Sequence, residues 1–509
     1  MLRITNTESG MVQGLPGADV RTTVFRGIPF ADDTSGENRW RPPQPPKPWE
    51  GIRKCYEFAP ITMQKVPGKD PNAFYSKEWH CEPEIPMSED GSLCLNIWTP
   101  MKTGKEKMPV MVWIFGGGLQ EGYCHEMEFD GESFNRRGVI LVTIAYRVNV
   151  FGFLCHPDLT AENPDAPANF GLLDQKAGIE WVKRNIANFG GDPENITIFG
   201  QSAGGGSTLY HCTSPQTKGL FQKAIAESAG GVKCLKPNLL LPSAITLKEA
   251  EEKGLKFVRD VLGCNSIAEA RKLPAQFIED KYIETFQGLN GCTATIDNKF
   301  ILDQSYNRVL EDQINDIVLM FGNTTNEFMA KPTGDVEEWV KGLFDDPKDA
   351  EAYLAACKEA VGDDPEALKK EASICGFDIN AKMSATVMAS HGRKYYYYVF
   401  GPTIPGDDAG AFHSSDLWFE FETLMKCWRP FDGHHYDIAR KMCNYWANFA
   451  KTGDPNGLDA DGTPMPEWRP FTLEDPCTMY FKDEVYSDNA PFSGKTKFLV
   501  EKNLELYKY

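Results

Sequence analysis

A large, mostly parallel β-sheet covered by helices on both faces, with a helical insertion, is the α/β fold that this 509-residue sequence predicts. Short, strongly apolar runs recur along the chain, and helical patterns lie between them. Strands that alternate with helices build parallel sheets buried on both faces. One segment states the alternation locally. In Asn195-Ile-Thr-Ile-Phe-Gly-Gln-Ser202-Ala-Gly-Gly205 a β-branched run meets a G-x-S-x-G turn, and small residues then lead into a helix.

Taken in order, residues 1 to 60 read as an antiparallel β start with a proline-rich connector, Arg41 to Pro48. Buried strands are predicted at Met108 to Phe115, Val139 to Tyr146, Ile196 to Phe199, Lys223 to Glu227, Ile317 to Phe321 and Tyr395 to Phe400. Asp174 to Asn185 places Ala177, Ile179, Trp181 and Val182 near helical spacing. From 335 to 390 the chain turns acidic and helix-forming, with breaks at Asp346-Pro347 and Asp363-Asp364-Pro365. This stretch reads as a helical insertion. Ile438, Met442, Tyr445, Trp446 and Phe449 mark a last amphipathic helix, stopped by Gly453 and Pro455. Without repeats or a low-complexity linker, residues 1–509 are expected to form a single catalytic domain.

Composition excludes several classes of function. A 41% apolar and 25% charged chain is an ordinary globular one. Its net charge of −19 argues against nucleic acid and against an anionic membrane surface. No apolar run is long enough to span a membrane. The start Met1-Leu-Arg-Ile-Thr-Asn lacks the apolar core of a secretion signal. A cytoplasmic protein is therefore expected, with export after removal of a leader as the alternative. The fourteen cysteines contain no C-x-x-C pair, and the eight histidines no H-E-x-x-H. Neither a metal site nor a cofactor is expected. Cys155, Cys357 and Cys443 read as buried thiols. Asn195-Ile-Thr197 and Asn323-Thr-Thr325 are formal glycosylation sequons that read as unused.

The strand–turn–helix at Ser202 has the layout of a nucleophile elbow, which lifts one serine hydroxyl above the sheet edge. Such a hydroxyl needs a base in reach and a third group to orient that base, in the chain order Ser, Asp/Glu, His. His391, His413, His434 and His435 all lie downstream. His413 is favoured because its loop follows the Tyr395 to Phe400 strand. Glu327 follows the Ile317 to Phe321 strand, where the acid should leave the sheet. From this segment alone it reads equally as an exposed loop carboxylate. Phe115-Gly116-Gly117-Gly118 ends a strand. The N–H groups of Gly117, Gly118 and Ala203 can form an oxyanion hole, against the plainer reading of a glycine-rich turn.

Motifs spread over nearly the whole chain then resemble one family, the type-B carboxylesterases of the cholinesterase-like α/β-hydrolases. They include Phe25-Arg-Gly-Ile-Pro-Phe-Ala31, Ser88-Glu-Asp90 with Leu95-Asn96, and Tyr146-Arg-Val-Asn149 with Gly152-Phe-Leu154. They continue in Asn169-Phe-Gly-Leu-Leu-Asp-Gln175, Phe189-Gly-Gly-Asp-Pro193, the Ser202 elbow and Phe449-Ala-Lys-Thr-Gly-Asp-Pro455. The resemblance implies an α/β-hydrolase fold and a Ser202–Glu327–His413 triad, with Gly117, Gly118 and Ala203 as oxyanion donors. It also implies ion pairs of Arg39 with Glu89 and of Arg147 with Asp174. An acyl pocket lined by Leu119, Gln120 and, by family position, Leu235 is expected.

Four departures from the family pattern bear on function. Phe115 stands where many relatives carry His or Tyr. Glu89-Asp-Gly-Ser-Leu-Cys94 and the stretch near Thr62 and Gln64 lack the halves of a usual disulfide. Gln201 replaces the glutamate of cholinesterases beside the nucleophile. Trp79 offers an aromatic face for a cation, although a surface or core tryptophan is the plainer reading. The expected activity is a serine carboxylesterase acting on small neutral esters, including aromatic hydroxycinnamate-type ones, as a monomer or small homo-oligomer. The alternatives are a lid-gated lipase and a non-catalytic adhesion module of the neuroligin kind.

Overall fold

The predicted alternation takes the form of an eleven-stranded sheet in a computed structural model of the protein, which describes residues 1–65, 73–79, 85–230, 244–286 and 291–506. In chain order the strands are β1 Leu15–Pro16, β2 Thr23–Pro29, β3 Cys94–Thr99, β4 Met108–Ile114, β5 Ile140–Ile144 and β6 Gly191–Gln201. They continue as β7 Lys223–Glu227, β8 Val318–Thr324, β9 Tyr395–Phe400, β10 Thr478–Phe481 and β11 Val485–Asp488. The spatial order is β11-β10-β9-β8-β7-β6-β4-β5-β3-β2-β1. Every pairing from β5 across to β10 is parallel, and both ends of the sheet are antiparallel.

Successive side chains of a strand point to opposite faces. Val110, Met111, Val112, Trp113 and Ile114 of β4 are nevertheless all fully buried, so both faces are covered. The covering helices include α1 Phe170–Asn185, α2 Ala203–Thr213, α3 Gly376–Ser390 and α4 Gly433–Thr452. Helices α1 and α2 pack on β6, α3 on β8 and β9, and α4 on β4 and β6.

The expected strands all form, Lys223–Glu227 and Tyr395–Phe400 with the expected ends and the other four with shifted ones. β8 runs on through Gly322, Asn323 and Thr324, which by composition read as a turn. They pair with Tyr398, Val399 and Phe400 of β9, so the sheet overrides their local preference. β6 begins at Gly191, where Met108 of β4 pairs with it across a register shift. The breaks expected between 335 and 390 are helix starts. The carboxylates of Asp346 and Asp364 cap the next helices at Lys348 N and Ala367 N, 2.9 and 2.8 Å away, each with proline at the first helical position. These helices share a hydrophobic cluster, including Val340, Phe344, Tyr353 and Cys357, with Leu499 and Val500 near the C-terminus.

Both ion pairs form. Arg39 grips Glu89 through two nitrogens. Arg147 grips Asp174 through Nε and Nη2, each at 2.7 Å, and the Arg147 backbone N–H adds a third bond at 3.0 Å. Asp174 is fully buried. Cys155, Cys357 and Cys443 are buried free thiols, and the twelve described cysteines are all free. Asn323 is buried, with its side-chain N–H donating to Thr324 O, and the Asn195 amide donates to Lys451 O. Among the described residues no helix is long and apolar enough to cross a membrane.

Truncating Asp174 strands a buried guanidinium. Asp174→Ala is expected to lower the unfolding free energy by about 3–5 kcal/mol, as for other broken buried pairs. Urea unfolding followed by tryptophan fluorescence measures it, and a loss below ~1 kcal/mol would contradict a structural role for the pair.

Candidate active site

The C-terminal ends of β6, β7, β8 and β9 lie in register, with Gln201 beside Glu227, Glu227 beside Gly322, and Gly322 beside Tyr398. Whatever follows these residues is delivered to one edge of the sheet. Ser202 follows β6 with φ +57°, a left-handed conformation unusual for serine. Its N–H donates to Glu227 O at 2.8 Å, and its carbonyl accepts from Gly206 N–H at 2.8 Å as the first bond of α2. The turn is sharp because α2 starts hard against the end of β4. A Cβ on Gly204 would lie 2.0 Å from Ile114 O, so only glycine fits there.

Glu327 and His413 meet on the same edge. Glu327 Oε2 is hydrogen-bonded to His413 Nδ1. Its Oε1 accepts from Ser228 Oγ and from Thr324 N–H, the latter at 2.9 Å. Burial alone would push this carboxyl up. The His413 charge and the bonds from His413, Ser228 and Thr324 instead hold it below the usual carboxylate range. Asn326 N–H donates to Ala411 O at 3.0 Å, which ties the acid's loop to the base's loop. Phe377 stacks on the imidazole at 5.3 Å between centroids, and Phe328 lies 4.4 Å away on centroids with half its surface exposed.

The ionised carboxylate accepts from Nδ1–H, which leaves the lone pair on Nε2. That nitrogen faces the Gln201 amide nitrogen at 3.4 Å, while Ser414 Oγ donates to Gln201 Oε1 at 2.8 Å. The sequence identified Gln201 only as a missing charge, whereas the fold sets it against the base. Ser228 was not singled out either. Its signal was its position directly after β7, the strand between the serine's and the acid's.

The glycine segment lies beside the serine: a Cβ on Gly116 would sit 3.3 Å from Ser202 Cβ. Gly117 and Gly118 take φ +97° and +66°. Gly117 O accepts from Gln120 N–H and Glu121 N–H at 3.0 and 3.2 Å. In a trans peptide the N–H points opposite the carbonyl, so Gly118 N–H is turned out of this bend. Ala203 N–H is likewise one of the unused donors at the start of α2. Phe115 stacks on Tyr146 at 4.1 Å, and the Tyr146 hydroxyl donates to Phe115 O at 2.8 Å.

The expected pocket residues fare differently. Leu119 is buried with φ +63°, and its carbonyl accepts from Asn149 N–H at 2.7 Å. The Gln120 carboxamide is engaged within the protein: Nε2 donates to Cys292 O at 2.7 Å, and Oε1 accepts from the Tyr282 hydroxyl at 2.7 Å. Both ends of its amide are thus occupied by groups of the protein. Leu235 lies outside the described residues.

The other three candidate histidines lie at helix ends. His391 ends α3. His435 shares a capping box with Asp432, and His434 lies 3.6 Å from Asp483. Trp79 is half-buried, stacked on Tyr75 at 4.9 Å, and the Tyr75 hydroxyl donates to His413 O at 3.5 Å. Cys94 is a free thiol, and Thr62 donates to Tyr146 O, so that corner carries no disulfide. Among the described residues no cluster of His, Cys, Asp and Glu is arranged to hold a metal.

A family model, the carboxylesterase family, matches residues 2–499. Fumonisin B1 esterase of Sphingopyxis macrogoltabida is 39% identical over 259 residues, which is 51% of this chain and 44% of that protein. The chain thus matches less than half the length of that relative. Acetylcholinesterase of Bungarus fasciatus is 30% identical over 515 residues, 92% of this chain and 81% of its own. Two solved structures of PNB esterase superpose with TM-scores of 0.78 and 0.76 at 26% and 27% identity. Each covers 98% of this chain, and the match spans 99% and 100% of the other.

Two substitutions probe the site. Ser228→Ala removes a hydrogen bond to an ionised carboxylate and is expected to lower kcat ~10-fold with little change in KM. Gln201→Glu sets an anion against the imidazole. An anion stabilises imidazolium, so the neutral base needs higher pH, and the acid limb of kcat/KM should move up by about one pH unit. A limb that stays or moves down would mean that residue 201 does not face the base in solution.

Proposed function

Since the chain belongs to the carboxylesterase family, the serine carboxylic ester hydrolases of the α/β-hydrolase fold, we propose that it hydrolyses neutral carboxylic esters through an acyl-enzyme on Ser202. The observation that supports this best is the joining of His413 Nδ1 to a buried, ionised Glu327 beside the elbow. His413 Nε2 takes the Ser202 proton as Oγ adds to the ester carbonyl. The N–H groups of Gly117, Gly118 and Ala203 receive the oxyanion. As the tetrahedral intermediate collapses, His413 gives the proton to the departing alcohol. Water then repeats the sequence and releases the acid. Glu327 holds the imidazole in the required tautomer and stabilises it while charged.

Neutral substrates fit the surroundings of the base. Phe328 and Phe377 wall the imidazole, and Gln201 adds no charge. One face of Trp79 is covered by Tyr75, and Arg429 sits 5.0 Å over Phe412, paired with Glu78 and Asp407. The aromatic walls favour esters that carry a flat ring on the acid or the alcohol. A screen of soluble p-nitrophenyl, naphthyl, methyl ferulate and choline esters, an emulsified triglyceride, and fumonisin B1 defines the range.

Ser202→Ala should fold and lose ~10⁴-fold or more in kcat. A fluorophosphonate should add one equivalent to Ser202, read by intact mass, and an adduct elsewhere would refute the assignment. At ~0.15 M salt, where surface attraction is screened over about 8 Å, a neutral aryl ester should exceed the matched choline ester in kcat/KM. A choline ester winning by ~10-fold, which is about 1.4 kcal/mol, would reveal a cation site, since an aromatic face alone gives ~0.5–2 kcal/mol.

A further inference from the structure

We infer that Tyr282, far from the triad in sequence, is a positioning residue for the oxyanion site and acts through Gln120. The inference rests on the reading of Gly117 and Gly118 as oxyanion donors. The Tyr282 hydroxyl is buried at a junction of three segments. It donates to Gln120 Oε1 at 2.7 Å and accepts from Cys292 N–H at 2.6 Å. Gln120 closes the bracket by donating Nε2 to Cys292 O at 2.7 Å, with Gly118 O at 3.4 Å from the same nitrogen. The segment at 291–292 is shaped to this hydroxyl. A Cβ on Gly291 would lie 1.8 Å from Tyr282 Oη and 2.8 Å from Gln120 Oε1.

The bracket holds the bend that aims the donors. Gln120 N–H donates to Gly117 O at 3.0 Å, and that bond turns the Gly118 N–H outward. If the Gln120 side chain loses its fixed partner, residue 120 can rotate, and the Gly117–Gly118 peptide is freed to tip with it. Glycines at φ +97° and +66° have little of their own to resist this. On the far side, Asn149 ties Leu119 O at 2.7 Å and approaches Gln120 O at 3.4 Å, so the motion left open is a rotation of the peptide plane. Such a rotation leaves substrate binding intact and weakens only the bonds that form to the oxyanion.

The test is a double-mutant cycle on Tyr282→Phe and Gln120→Ala with a soluble p-nitrophenyl ester. Each single variant is expected to lower kcat ~10–100-fold, the range for a small misplacement of catalytic groups, with KM within ~3-fold. The affinity for an aryl trifluoromethyl ketone, which adds Ser202 Oγ to its carbonyl and leaves an oxyanion in the hole, should fall by the same factor as kcat. The double variant should lose no more than the worse single, because both act through one link. Additive losses, a loss confined to KM, or a Tyr282→Phe enzyme within ~2-fold of wild type would overturn the inference. Should Tyr282→Phe not accumulate folded, Gln120→Ala and Gln120→Leu carry the same kcat and ketone readouts. A wild-type enzyme that a fluorophosphonate does not label at Ser202 would instead overturn the function on which the inference rests.

Discussion

The close crossing of the start of α2 over the end of β4 is the constraint on which the site depends. With Gly204 pressed against the Ile114 and Phe115 carbonyls, the β6–α2 turn has room for no side chain there, and Ser202 is forced into a left-handed conformation. The same contact brings the glycine segment after β4 beside the serine. One packing event therefore sets the serine, the start of α2 and the glycine segment side by side. The strain at Ser202 is tolerated because its N–H and C=O are each tied, to Glu227 and Gly206. Asn149 and Gln64 hold the glycine segment from behind, Gln64 by accepting from Gly122 N–H at 2.7 Å and donating to Gly122 O at 3.0 Å.

Carboxylates buried behind this edge show how environment sorts like groups. Glu327 and Glu227 stand at the ends of neighbouring strands, both buried. Glu327 has three donors and stays ionised. Glu227 is pushed up by burial to about 7, with the Trp446 indole N–H at 2.9 Å on its side chain. Asp416 and Glu420, also fully buried, are raised well above the usual range, first by burial and then by Glu227, with Glu327 adding to the rise at Asp416 and Asp416 to that at Glu420. The carboxylate with charge-assisted partners is held in the ionised form that can orient a base, while burial favours the protonated form of the others.

Local features of the site were legible in the sequence, and long-range ones were not. The elbow is a strand–turn–helix within a dozen residues, so Ser202 announces itself. His413 follows from chain order and its place after a strand. Glu327 follows from its strand as well, but its burial and its donors do not, since they come from Ser228 just past another strand and Thr324 in a stretch that reads as a turn. Gly322-Asn-Thr joins β8 because Tyr398-Val399-Phe400 offers it a ladder, a fact about a neighbour seventy-odd residues away. Gln120 is expected in the pocket because it follows the glycines, but its side-chain partners are not legible. Its partners, Tyr282 and Cys292, are more than 160 residues on, and no periodicity links them. The capping carboxylates of Asp346 and Asp364, by contrast, are local and were visible as breaks.

Gln201 shows how the charge of the base is managed. Its amide nitrogen faces His413 Nε2, and Ser414 holds its oxygen turned away. An amide N–H can share the lone pair of neutral imidazole, but it repels an imidazolium N–H. Gln201 therefore favours the resting base and gives no support to the charged one. On the Nδ1 side the imidazole is joined to Glu327 instead. That asymmetry explains why Glu327 is bound by so many donors. A carboxylate facing the other nitrogen would share the task, but it would also hold the imidazole protonated before the serine proton arrives. With Glu227 in register beside residue 201, a charge at 201 would also stand next to an acid already raised by burial. A neutral amide at 201 therefore sets no charge against the imidazole.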